Sequence, residues 1–389
     1  MTALAEVVRE HGDAYLQHYG TEVLPSHVRA LRAIAACRTS ALGGHLAKCE
    51  ACAREHLLYH SCRHRACPRC GHDRAETWQK KQQELLLPTR YFHVVFTLPS
   101  ELRRIVRTHQ KALLDVLFRA AFDSLAVLCK DSHYLGGQIG ALAVLHTWTR
   151  TLEWHPHVHM LVPGGVLAAD GQTWLRVPGR KKAFLVPVKA LSALFRGRFL
   201  HLARKALAGV EFPAIPWEKR WVVYCKPTVQ GADKVLQYLG RYVQRTAITD
   251  TAIIKSENGA VTFRYKCSAD GQRKMMTLPA YEFLRRFLQH VPPRGFHRVR
   301  AFGLLHPKRR LELRRLQLLL GAKLPENQKA ENVLRKTLSC PHCRTGELRI
   351  LRTLSAKECE VYERRRETSP IPSVARAPPR DACPERMIA

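Results

Sequence analysis

Hydrophobic and polar positions along this chain change period several times, and each change marks an element. Residues 1–36 read as helical, with Val23, Leu24, Val28, Leu31 and Ile34 near the spacing of one helix face. That period is lost over 37–72, a stretch rich in Cys and His. The polar run "DRAETWQKKQQELLLPTR", 73–90, predicts a helix stopped by Pro88. "YFHVVFTLP", Tyr91 to Pro99, predicts a strand, and residues 101–130 return to an amphipathic helical pattern. "GALAVLHTWTR", "HPHVHMLVPGG" and "RWVVYCKP" read as further strands. "GADKVLQYLGRYVQRT" reads as a helix, and "AVTFRYKCS" with "RKMMTLPA" as a hairpin. Residues 281–290 and 304–321 read as basic helices, and no internal repeat is visible. Strands interspersed with helices predict an α+β domain with a mainly antiparallel sheet over 88–300. Around it lie an N-terminal helical segment (1–36), a Cys/His module (37–87), a basic helical segment (301–335) and a basic tail (336–389). The tail is Pro- and Arg-rich past about residue 364 and is expected to be disordered.

Charge narrows the choice of partner. In 389 residues, 64 Lys and Arg stand against 32 Asp and Glu, a formal charge of +32. Such self-repulsion opposes a compact state unless a polyanion shares the surface. Nucleic acid is the leading partner and an anionic membrane surface the second. No apolar run approaches the roughly 18–20 residues of a membrane span, and the N-terminus lacks a signal-peptide core. A cytoplasmic protein is expected, whose 13 cysteines are thiols rather than disulfides.

Six of those cysteines fall between Cys37 and Cys70. "CEAC" supplies Cys49 and Cys52, and "CPRC" supplies Cys67 and Cys70. Each CxxC puts two thiolates on one knuckle, and two knuckles close a zinc tetrahedron. Cys37, His45, Cys62 and His64 remain for a second site, or the ligands are shuffled between two ions. Arg63, Arg65 and Arg69 surround the knuckles, a placement that suits DNA phosphates. "CPHC", Cys340 to Cys343, has no matching pair nearby in sequence and is as readily chance spacing as a metal site.

"EWHPHVHMLVPGG" places His155, His157 and His159 at alternate positions. On a strand, His157 and His159 share one face, joined by His155 if Pro156 keeps the geometry, while Val158, Met160 and Val162 share the other. A single such His would be merely solvated or satisfied. Two or three together can grip one metal ion, although imidazole alone does not name it. Downstream, Tyr238 and Tyr242 fall on one helical face with Val235, Leu239 and Val243. By spacing alone these are core tyrosines. Beside a bound cation and the basic Arg241 and Arg245, they become candidate nucleophiles. Lys308, Arg309 and Arg310 form another dense basic cluster, suited to phosphate. Trp148, Trp154 and Trp174 serve either as base-stacking platforms or as core.

These residues resemble a known group. "HVHMLV" resembles the His–hydrophobic–His motif of the HUH single-strand DNA endonucleases, the tyrosine pair their two-tyrosine helix, and "FTLP" their first sheet motif. "CRTSALGGH", "SCRHRACPRC", "HPHVHMLVPGG" and "FLQHVPPRGFHRVRAFGLL" resemble, in order, the rolling-circle transposases of bacterial insertion sequences, the IS91-like family. The resemblance implies an HUH-endonuclease-like fold and a tyrosine that attacks a DNA phosphodiester. The products are a 5′-phosphotyrosine and a free 3′-hydroxyl. It also implies Mg²⁺ or Mn²⁺ on His157 and His159, structural zinc, and single-stranded element ends as substrate. His155, Glu153 and Gln244 are all candidates for a third ligand. A plasmid replication initiator or relaxase would share the chemistry, and a non-catalytic zinc DNA-binding protein would share the charge. Intact histidines and tyrosines speak against the latter. Oligomeric state is not legible.

Overall fold

The computed structural model describes residues 3–70, 85–177, 185–215, 219–228, 247–267, 270–322 and 338–368. In chain order the helices are α1 (Leu4–Tyr19), α2 (Pro25–Ala35), α3 (Arg103–Thr108), α4 (Gln110–Lys130), α5 (Val188–Ala206), α6 (Ala280–Leu288), α7 (Arg310–Leu319) and α8 (Ala356–Thr368). The strands are β1 (Gly44–Cys49), β2 (Glu55–Tyr59), β3 (Tyr91–Thr97), β4 (Gly137–Gln138), β5 (Gly140–Trp148), β6 (Trp154–Pro163), β7 (Gly165–Ala168), β8 (Trp174–Arg176), β9 (Val223–Pro227), β10 (Ile253–Glu257), β11 (Ala260–Lys266), β12 (Arg273–Pro279), β13 (Val299–Gly303), β14 (Leu338–Ser339) and β15 (Glu347–Leu354). The fold is α+β with antiparallel sheets, and two compact units share it. Among the described residues, one comprises 3–37 and 62–322 and the other 38–61 and 338–368.

The larger unit is organised by a five-stranded sheet in the order β13-β5-β6-β3-β9. Every pairing in it is antiparallel. One face carries Phe92, Val94, Phe96, Val158 and Met160, all fully buried against Leu113, Leu117 and Ala121 of α4 and Phe195 and Phe199 of α5. Burial of each such large side chain stabilises by roughly 1.5–3 kcal/mol. The stripe predicted over 101–130 is interrupted at His109, which separates α3 from α4. Helix α5 has no counterpart among the expected elements. A second core joins α1 and α2 to the β10–β12 sheet and α6 through Leu4, Val7, Leu31, Ile34, Phe263, Phe283 and Phe287. The expected helix over 73–90 falls largely, and that over 231–246 wholly, outside the described residues.

The smaller unit corrects two expectations. Residues 37–87 do not form one contiguous module. Strands β1 and β2 join β15 and β14 in a four-stranded sheet, so 38–61 folds with the C-terminal part of the chain. The stretch expected as a tail is therefore folded over 338–368. Leu46, Leu354 and Cys359 form its small core. The Tyr59 hydroxyl donates to Glu363 and that of Tyr362 to Glu55, tying α8 to β2 and the residue that opens it. Its mixed polar sequence hid this, because so small a core leaves most positions exposed.

Candidate functional site

Strand β6 alternates as a half-buried strand should. Trp154, Pro156, Val158 and Met160 are buried, while His155, His157 and His159 are intermediate. Register sets His146 of β5 opposite His157, and flanks His159 with Val144 of β5 and Val95 of β3. Ligand nitrogens of His146, His157 and His159 all lie within 4.8 Å of one another. Three neighbouring imidazoles suit a transition metal.

Proton positions follow from the partners. His157 Nδ1 lies 2.7 Å from the His155 carbonyl oxygen. A carbonyl only accepts, so this ring is protonated at Nδ1 and its Nε2 keeps a lone pair for a metal. Burial lowers the His157 pKa to about 4, so the imidazole is in the neutral form that ligates. His159 Nδ1 lies 2.8 Å from Nε2 of His93, on β3. Trp148 stacks on His146, with ring centres 4.5 Å apart.

His155 is not brought into this group. Its Nδ1 lies 2.9 Å from a guanidinium nitrogen of Arg103, which donates to it. The β5–β6 register shifts between His146 and Trp148, so no imidazole of β5 stands across from His155. Glu153 is exposed. Gln244, Tyr238, Tyr242, Arg241 and Arg245 lie outside the described residues. Among the described tyrosines, Tyr224 of β9 sits opposite Val95 and packs edge-on against His93, at 5.8 Å.

His290, just past α6, supports the strand from its end. Its Nε2 donates to the Leu152 carbonyl at 3.1 Å, so its Nδ1 accepts from the Thr147 hydroxyl at 3.1 Å. Leu152 has a φ of 62° in the tight β5–β6 connection, a left-handed conformation that costs a non-glycine residue energy and must be held by its surroundings. Trp154 is buried in the core and stacks on the His290 ring, so it is not a platform for bases. Trp174 of β8 is half-buried beside Gly165 of β7, where an added Cβ would meet the indole at 2.5 Å.

The cysteines pair otherwise than their spacing suggested. Cys37, Cys62, Cys67 and Cys70 form one set, and Cys49, Cys52, Cys340 and Cys343 another. Sulfur–sulfur distances are 3.6 Å for Cys37–Cys70 and Cys62–Cys70, and 3.7 Å for Cys37–Cys67. In the second set they are 3.7 Å for Cys49–Cys343 and 3.8 Å for Cys52–Cys340. A zinc tetrahedron with bonds of about 2.3 Å has edges of about 3.8 Å, whereas a disulfide measures about 2.05 Å. Both sets fit structural zinc with a closed ligand shell. In the second set the two knuckles are alike. The Ala53 amide donates to the Cys49 carbonyl, the Arg344 amide to the Cys340 carbonyl, and both residues have positive φ. The Gly346 amide holds the Cys343 thiol down to about 5, in the thiolate form. Any Cβ at Gly346 would meet the Cys49 sulfur at 2.5 Å. His45 bonds Thr353 instead, and His64 accepts from the Ala66 amide through Nδ1, so neither joins a sulfur set.

The other predicted cations differ in use. Arg69 pairs with Asp250 at 3.2 Å, and Arg309 with Glu312. Arg63, Arg65, Lys308 and Arg310 are exposed. No helix among the described residues is long and apolar enough to cross a membrane.

Residues 7–98 match the family model "Transposase zinc-binding domain", and residues 140–312 match one described as "Putative transposase". The first range contains all of the Cys37 set, whereas Cys340 and Cys343 lie beyond both. The chain is 37% identical over 376 residues to "Putative transposase y4qJ" of Sinorhizobium fredii, covering 89% of this chain and 94% of that one. It is 30% identical over 302 residues to the "Transposase for insertion sequence element IS801" of Pseudomonas savastanoi pv. phaseolicola, covering 72% and 70%. No solved structure matches it. Given this similarity, which takes in the Cys37 set and the histidine-bearing strands, the chain belongs to the IS91-like family of insertion-sequence transposases, proteins that process DNA and carry a zinc-binding domain.

Proposed function

We propose that this transposase nicks single-stranded DNA at the ends of its element and transfers the strand through a 5′-phosphotyrosine. The observation that carries the reading is the trio His146, His157 and His159 on one sheet face, with His157 fixed in a metal-ready tautomer. His157 and His159 would hold a divalent ion, with His146 rather than His155 as third ligand. Bound there, the ion would polarise the scissile phosphate and offset the charge that develops on it. An all-nitrogen set suits Mn²⁺ better than Mg²⁺, which prefers oxygen. The hydroxyl of Tyr238 or Tyr242 attacks phosphorus. An O–P bond forms to tyrosine, the P–O3′ bond breaks, and the departing oxygen takes up a proton as the 3′-hydroxyl. The ester conserves the energy of the broken bond, so rejoining needs no nucleotide. Two tyrosines fit a relay, one for the donor end and one for transfer. The excess of 64 cations over 32 anions supplies sequence-independent affinity for the strand.

A nicking assay on a labelled single-stranded terminus with Mn²⁺ tests this. His157→Ala, His159→Ala and His146→Ala should each lower cleavage by at least 100-fold while DNA affinity stays within about threefold, because phosphate contacts supply most of it. His155→Ala should keep Mn²⁺ binding. Full nicking by the His157→Ala/His159→Ala variant would overturn the reading.

A further inference from the structure

In the larger unit, the loop between Cys62 and Cys67 is held at both ends by the first sulfur set and displays Arg63, His64 and Arg65. These three line one open cavity of about 290 Å³ together with Ser26 and Arg29 of α2 and Arg294 of the segment after α6. Four arginines therefore line it, and no carboxylate is among the described lining residues. Arg63 reaches its place with a φ of 50°, a conformation non-glycine residues seldom adopt without cause. Arg65 ties the far wall down by donating to the carbonyls of Phe296 and Pro293. His64 accepts the Ala66 amide at Nδ1, which helps fix the loop. Beside Arg65 stands Arg298, whose pKa is lowered to about 10, by desolvation first and by the Arg65 charge second. Positive charge is thus concentrated along this wall, which favours an anionic ligand.

The cavity's back wall connects with the histidine sheet. Val291 lines it, and the preceding residue is His290, which bonds Thr147 next to His146. The Arg298 carbonyl accepts from the Leu145 amide on the other side of His146. The volume is at the bottom of the roughly 300–1,000 Å³ range of small-molecule pockets, which suits a phosphodiester better than a whole cofactor.

We propose that this cavity clamps one backbone phosphate of the DNA strand, with Arg29, Arg63 and Arg294 as direct ligands and Arg65 holding the wall. Structural zinc in the Cys37 set is then the device that presents the clamp. The inference rests on DNA as the partner, not on the nicking chemistry, and is tested without added divalent ion so that the two fail separately. The full chain is titrated with a fluorescent single-stranded oligonucleotide over a range of salt. Arg29 and Arg294 are exposed, and their removal should leave zinc content and unfolding temperature unchanged. Arg29→Ala/Arg294→Ala should raise Kd about tenfold or more, and flatten the slope of log K against log salt by roughly 0.7 per phosphate released. Arg204→Ala/Lys205→Ala, two exposed cations at the end of α5, should change Kd far less. Equal losses in the two double variants would mean that overall charge acts, and would overturn the proposal. So would a variant that binds DNA like the parent yet loses inorganic phosphate in a calorimetric titration, since the cavity would then serve a free anion. Unchanged binding of both probes would overturn it as well.

Discussion

His93 Nε2 and His159 Nδ1 lie 2.8 Å apart, with their rings 5.1 Å centre to centre and 2° from parallel. A ring that ligates through Nε2 must carry its proton on Nδ1, and His93 is placed to accept that proton. Burial lowers the His93 pKa to about 4, so the acceptor is a neutral imidazole. His93 would therefore be a positioning residue, fixing the tautomer and plane of His159. His93→Ala should weaken Mn²⁺ binding by roughly 10- to 100-fold. His93→Gln, which keeps an acceptor, should recover part of it. Electron paramagnetic resonance of free Mn²⁺ measures both, and an unchanged affinity in His93→Ala would remove the role.

Much of this site is legible in the sequence, and the rest is hidden for identifiable reasons. His157 and His159 announce themselves because alternation on one strand needs only local geometry. His146 and His93 are each the lone imidazole of an apolar strand, "GALAVLHTW" and "YFHVVF", and only strand pairing brings them alongside. Strands β3, β5, β6 and β9 of the central sheet were legible by period, and so was the hairpin of β11 and β12, whereas β13, a short edge strand, was not. Unit boundaries were not, because β15 reaches β1 across nearly the whole chain. For the same reason "CPHC" had no visible partner, although Cys340 and Cys343 complete the tetrahedron begun by "CEAC". Arg29 and Arg294 carry no local signal of a shared cavity.

The pairing of sulfurs fixes a stoichiometry. Protein purified without chelator should contain two zinc ions per chain. Cys340→Ser/Cys343→Ser should lose one ion and the protection of residues 44–59 and 347–354 against hydrogen exchange, while residues 140–163 keep theirs. Binding of structural zinc contributes on the order of 10–16 kcal/mol to such small modules, more than a core of this size could replace. One zinc in the parent chain, or unaltered exchange in the variant, would refute the pairing.

His290 makes a prediction about pH. Burial lowers its pKa from 6.5 to about 3 in the folded chain. Between those values the unfolded chain binds the extra proton and the folded one does not, so stability rises with pH across that window. On acidification it should fall from about pH 6.5 downward, by at most about 1.4 kcal/mol per unit from this one group. His290→Asn should be less stable at neutral pH, by roughly 1–3 kcal/mol for the disturbed buried bonds to Leu152 and Thr147. It should also show a shallower decline between pH 6.5 and 4. Urea midpoints at several pH values test this, and parallel curves for parent and variant would contradict it.

The phosphotyrosine is the centre of the functional account, and one gel tests it. Protein incubated with Mn²⁺ and a labelled single-stranded element end is run under denaturing conditions and scored for a protein–DNA band. Phe keeps the ring and its buried area but removes the attacking oxygen. Tyr238→Phe/Tyr242→Phe should fold, bind DNA and form no covalent band, while at least one single variant still does. Each single variant should lose complete transposition. A covalent band persisting in the double variant would contradict the account, and would direct attention to Tyr224, the described tyrosine that packs against His93.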